Sequence, residues 1–185
     1  DVIGGYVVTC IGDDRNYSFL ETKYGNTISD KAAIKAFKKY NIKYKKYSFL
    51  KRGSDERQFN SPHVDLNLAS IMRSKYGEYK EYHTSLDNFD LVTSRGLKGG
   101  FLILKQAINY LQKLKKNENQ KIFNKENPIA KQICEPHLSK RKLTYDISNL
   151  SNLRQNNSLR GPILNFLQYA DGTNDLKSIS NYIKI

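Results

Sequence analysis

Between residues 52 and 92 the chain reads RGSDERQFNSPHVDLNLASIMRSKYGEYKEYHTSLDNFDLV, and side chains capable of chemistry crowd together there. His83 stands in a polar loop with Glu78, Glu81, Asp87, Asn88 and Asp90 close by in sequence. A neutral imidazole is a good ligand for a first-row metal, and a neighbouring carboxylate can fix its tautomer and orientation. One imidazole does not make a site, because a catalytic zinc takes three protein ligands. These residues leave open both a metal-binding His83 and an ordinary hydrogen-bonded loop histidine. Arg52, Arg57 and Arg73 flank the same loops, and either a bidentate clamp on a substrate carboxylate or a surface ion pair suits each of them. Tyr76, Tyr79 and Tyr82 offer hydroxyls to an oxyanion, or pack as an aromatic loop. His63, after Pro62, reads as a turn residue.

The elements that must position these groups follow from periodicity. Residues 6–11 are apolar and β-branched, bounded by Gly4-Gly5 and by Gly12-Asp13-Asp14, which predicts a buried strand opening into an acidic loop. Ligands of α/β sheets sit beyond the carboxyl ends of strands, so Asp13 and Asp14 are well placed for function. Cys10 is expected to be a buried thiol in that strand. Residues 26–40 predict a helix capped by Thr27 or Ser29, with Asp30 at its positive end and Lys38-Lys39 at its negative end. Ile34 and Phe37 face its core side. Residues 44–50 and 66–72 predict strands, with a turn over 56–60. Residues 94–116 predict a long helix with Phe101, Leu104, Ile108 and Leu111 on one stripe and Gly99-Gly100 packed close to the sheet. This is α/β order. Residues 160–170 and 176–185 predict two helices joined by a tight Asp171-Gly172 turn, with Asp175 capping the second.

Bulk properties set limits. The 185 residues suffice for one ordinary domain plus a small one, and 38% hydrophobic content with 13 tyrosines leaves a modest core. The net charge of +13 is spread along the chain rather than gathered into a stripe, which argues against a nucleic-acid surface. Cys10 and Cys134 lie in no CxxC spacing, consistent with a reducing, cytoplasmic setting. No apolar run is long enough to span a membrane, and no signal peptide is evident. The abrupt start at Asp1 reads as the interior of a longer protein.

The order GSDERQF, SPHVDL, IMRSKYGEY, YHTSLDNFD resembles the C-terminal half of the co-catalytic zinc aminopeptidases. It is more similar still to an uncharacterised bacterial aminopeptidase-like family that carries a winged helix-turn-helix tail. CEPHLSKR and the DG-x-x-x-L spacing at 171–176 resemble that tail. The fold implied is a partial zinc-exopeptidase αβα sandwich over residues 1–116, an extended linker over 117–157, and the start of a winged-helix domain over 158–185. The activity implied is zinc-assisted attack of water on an amide bond of a peptide or other small substrate. The resemblance implies zinc ligands at His83 and at Asp13, with Cys10 open as an alternative to Asp13. It also implies Asp55 or Asp87 as hydrogen-bonding support for the imidazole. Arg57, Arg73 and Tyr82 are the expected substrate contacts. The family's first histidine, bridging aspartate and glutamate pair have no counterpart here, so no catalytic base is assigned and the chain is expected to be inactive alone. The alternative is a non-catalytic binding protein that uses the tail for protein or nucleic-acid contact. Residues 176–185 supply Lys177, Asn181 and Lys184 but no arginine, which favours oligomerisation over base readout.

Overall fold

The structure, a computed structural model, describes residues 2–114, 123–141 and 160–185. Residues 117–122 and 142–157 of the expected linker lie outside that set. The chain divides into two units, the first holding residues 2–59 and 66–114, the second residues 60–65 and those from 123 onward.

Strand β1 (Gly5–Val8) forms where Tyr-Val-Val follows the glycine pair. It is joined by β2 (Ser18–Leu20), β3 (Lys45–Tyr47) and β4 (Leu68–Met72) in a sheet of order β1-β4-β2-β3. β1 runs parallel to β4, with Val8 opposite Ile71; β2 runs antiparallel to β4, with Ser18 opposite Met72. The carboxyl ends of β1 and β4 therefore meet the amino ends of β2 and of its parallel neighbour β3 at one end of the sheet.

Two helices cover one face. Helix α1 (Ile28–Lys39) starts at Thr27 with a full capping box: Thr27 and Asp30 satisfy each other's backbone N–H groups. Phe37 is buried in the core with Phe19, Ala33, Ala36, Ala69, Ile71, Ile103 and Ala107, and its ring stacks on Tyr44 at 4.3 Å. Alternation along β4 sends Ala69 and Ile71 into this core and Ser70 to the other face. There the short helix α2 (Glu56–Phe59) and the turn before it lie, where the sequence had suggested only a turn.

Helix α3 (Ser94–Leu111) ends earlier than its periodicity suggested, and the expected stripe is corrected. Phe101 is 56% exposed and Ile108 41% exposed, while the buried line runs through Gly96, Gly100, Ile103, Ala107 and Leu111. The helix carries apolar residues on two sides, and the side with glycines wins because it allows backbone contact. A methyl group at Gly96 would overlap the Gly12 carbonyl oxygen, and Thr93 N–H donates to that same oxygen at 2.9 Å. The glycines thus press α3 onto the loop after β1.

In the second unit, helices α4 (Arg160–Tyr169) and α5 (Leu176–Ile183) flank a turn built by Asp171. Its Oδ1 accepts from Thr173 N, Thr173 Oγ1 and Asn174 Nδ2. Asp175 caps α5 by accepting from Ser178 N at 2.7 Å, and Tyr169 stacks on Tyr182 at 5.0 Å. None of the described helices is long and apolar enough to cross a membrane.

Candidate functional site at the carboxyl ends of β1 and β4

Past β1 the chain turns sharply. Cys10 adopts φ 49° and its carbonyl accepts from Arg73 N at 2.8 Å. The thiol is half-buried beyond the strand rather than buried within it, which corrects the expectation for Cys10; the ladder has already ended at Val8. Tyr79 Oη lies 3.4 Å from its sulfur.

Asp13 is buried and binds protein. One oxygen accepts from Ser74 N at 2.8 Å; the other accepts from Ser74 Oγ at 2.8 Å and Arg15 N at 3.0 Å. Burial pushes this carboxyl upward, but the two Ser74 donors and the Arg15 backbone and guanidinium outweigh it, leaving it below the usual carboxylate range. Asp13 thus ties the loop after β1 to the loop after β4.

A second buried carboxylate, Glu56, performs the same task for the GSDE turn. Its Oε1 accepts from Gly53 N at 2.8 Å, Ser54 N at 3.0 Å and Tyr76 Oη at 2.5 Å, and its Oε2 from Ser70 Oγ at 3.0 Å. Burial, reinforced by the Glu56 charge, raises the Tyr76 phenol far above its ordinary value, so Tyr76 is a permanent donor here. Sequence reasoning missed Glu56. The available signal was Ser70, a hydroxyl in the otherwise apolar strand LASIM, which requires a buried partner.

The other expected residues fall elsewhere. His83 is exposed, with φ 58°, and its ring lies 3.9 Å from that of Tyr82. Tyr82 in turn contacts Tyr79 and Tyr76. Asp55 and Asp87 are exposed, as is Arg57 on α2. Arg73 is buried with its guanidinium 3.7 Å above the Tyr17 ring. His63, in the second unit, reaches the Ala130 carbonyl at 2.9 Å. Among the described residues no three His, Cys, Asp or Glu side chains gather as a metal site. With both Asp13 oxygens engaged by donors and His83 on the surface, these residues do not fit a zinc ion by themselves.

Between the loops after β1 and β4 and the amino ends of β2 and β3 lies a cavity of about 240 Å³. Arg15, Ser74 and Tyr79 border it, so the Asp13 tether forms part of its wall.

A family model described as a domain of unknown function (DUF4910) matches residues 1–114. A Clostridium acetobutylicum protein named for polysaccharide biosynthesis and an aminopeptidase-like domain is 34% identical over 176 residues, which is 95% of this chain and 37% of that protein. The crystal structure of a C. acetobutylicum protein described as a peptidase superposes with a TM-score of 0.55 at 29% identity, covering 98% of this chain and 37% of that one. The chain therefore spans a little over a third of the length of the relatives it matches.

Proposed function

This chain belongs to the DUF4910 family, a domain of unknown function, and on that premise we propose that it is part of a peptidase-like hydrolase whose working face is the carboxyl end of β1 and β4. The observation that carries this is the 34% identity across 95% of the chain to a protein with an aminopeptidase-like domain. The geometry agrees with it. Buried Asp13 joins the loops after β1 and β4 at the end of the sheet where α/β proteins bind ligands, and buried Glu56 ties the GSDE turn to Tyr76 in the loop after β4.

The substrate is a peptide or another small amide. Tyr82, beside Tyr79 and His83, would line its path. Zinc remains the metal we propose for the working enzyme, with His83, the sole histidine of the first unit, as the ligand this chain offers. The remaining ligands and the base must come from residues beyond those described, so this chain alone binds substrate without turning it over. The α4–turn–α5 pair serves protein association, in the manner of a winged-helix tail, rather than base readout.

The test is hydrolysis of aminoacyl 4-nitroanilides with and without added zinc, alongside direct measurement of their binding. Binding without release of 4-nitroaniline is expected. Turnover by this chain would mean that it holds a complete site, and absence of any peptide binding would remove the peptidase-like reading.

A further inference from the structure

Two cations are buried within three residues of each other at the end of β4. Lys75 is 7% exposed and Arg73 is 4% exposed. Neither forms an ion pair among the described residues. Lys75 Nζ donates to the Tyr76 carbonyl at 3.0 Å and sits 4.2 Å from the Tyr76 ring and 5.4 Å from the Tyr47 ring. An ammonium carries three protons, and this one finds a single protein acceptor. Burying such a charge without a counter-ion is costly.

Lys75 also lines the cavity of about 240 Å³. Arg15, Lys45 and Lys80 share that lining with Glu78 and Glu81, so cations outnumber carboxylates by four to two. Arg15 is held to Glu81 at 3.3 Å, which uses one of the two acids, and also to the buried Asp13 at 3.5 Å, so it can only assist Lys75. Glu78 acts on Lys75 at longer range without pairing with it. The cavity therefore combines a polar wall, a positive balance and a buried donor that no carboxylate pairs with directly among the described residues, Glu78 and Glu56 acting on it only at longer range.

We propose that this cavity is an anion-binding subsite in which Lys75 Nζ, seconded by Arg15, receives a carboxylate or a phosphate group of a ligand. A carboxylate would be the terminus or an acidic side chain of a peptide; a phosphate would belong to a phosphorylated metabolite. The proposal goes beyond the peptidase-like reading and stands without it, since anion binding needs no turnover. Desolvation lowers the Lys75 pKa, and an anion in the cavity would restore it.

The experiment is calorimetric titration of the intact chain with inorganic phosphate and, separately, with N-acetylglycine, at constant ionic strength. The variants Lys75→Met and Lys75→Arg are titrated in parallel. Saturable binding of one anion is expected. Lys75→Met should weaken it on the order of ten- to a hundredfold, the worth of one charge-assisted hydrogen bond, while Lys75→Arg retains most of it. Preference for N-acetylglycine assigns the site to a peptide-like ligand, and preference for phosphate to a phosphorylated one; either supports the subsite. Failure of both anions to bind, or binding equally strong in a folded Lys75→Met protein, overturns it. Should Lys75→Met fail to fold, the wild-type titration and Lys45→Gln decide: loss of rim charge should weaken binding only a few fold.

Discussion

Two acid-bearing regions of the first unit are treated in opposite ways. Asp13 and Glu56 are buried; Asp13 collects donors from two separate segments of chain and Glu56 from three. The loop from His83 to Asp90 is exposed throughout, and its hydrogen bonds are local ones, within itself or to Glu81, Leu91 and Val92, such as Asp90 N to Asn88 Oδ1 at 2.8 Å. The fold thus invests its polar interior in holding loops, while the residues richest in ligand chemistry are left at the surface. A working site that uses His83 must take its rigidity from something that binds there.

The sharpest way to break this contrast is Glu56→Ala. It strips four donors of their buried acceptor and should cost about 3–5 kcal/mol, as when one partner of a buried charged network is removed. Urea unfolding measures it; a loss below about 1 kcal/mol would mean the network is not structural. Asp13→Asn comes next, at about 2–3 kcal/mol, since hydrogen bonds to a charged acceptor are worth more than neutral ones. Its pH dependence carries a sign. The folded carboxyl titrates below its unfolded value, so its stabilisation is complete above the unfolded pKa and is lost as pH falls through the folded one. Wild-type and Asp13→Asn stabilities should therefore converge in acid; a gap that stays constant with pH would point to packing rather than charge.

Lys75→Met is expected to act in the other direction, raising stability by about 1 kcal/mol through relief of a buried ammonium that has no direct ion pair. A drop in melting temperature would instead make Lys75 a pillar between its two tyrosines. Smallest of all, His83→Ala and Asp87→Ala should each shift stability by less than about 0.5 kcal/mol, as exposed residues do. A larger loss in either would show that the surface loop is knitted to the rest after all.

The helices were the legible part of the sequence. Thr27, Asp30 and Lys38-Lys39 mark α1 by cap and dipole, while α3 was legible from its apolar periodicity. Strand β2 was invisible because three residues, SFL, carry no periodicity. The face of α3 was misjudged because apolar side chains outshout glycines in any hydrophobic pattern, although Gly96 and Gly100 are what allow the helix its close approach. In the site, the motifs located the right loops, yet they directed attention to Asp55 when the neighbouring Glu56 is the residue the fold buries. Which of two adjacent acids turns inward depends on the Ser70 and Tyr76 partners, and these come from 14 and 20 residues away. In sequence Arg73 reads as a substrate clamp or a surface ion-pair partner and Lys75 does not stand out; only the packing of Tyr17, Tyr47 and Tyr76 reveals both as buried.

The account turns on where a peptide binds. Backbone amide resonances recorded during titration with a leucyl dipeptide test that directly. The proposal predicts saturable shifts over residues 10–15 and 74–83, with the helices of the second unit unmoved. Shifts confined to the second unit, or none at all, would contradict it.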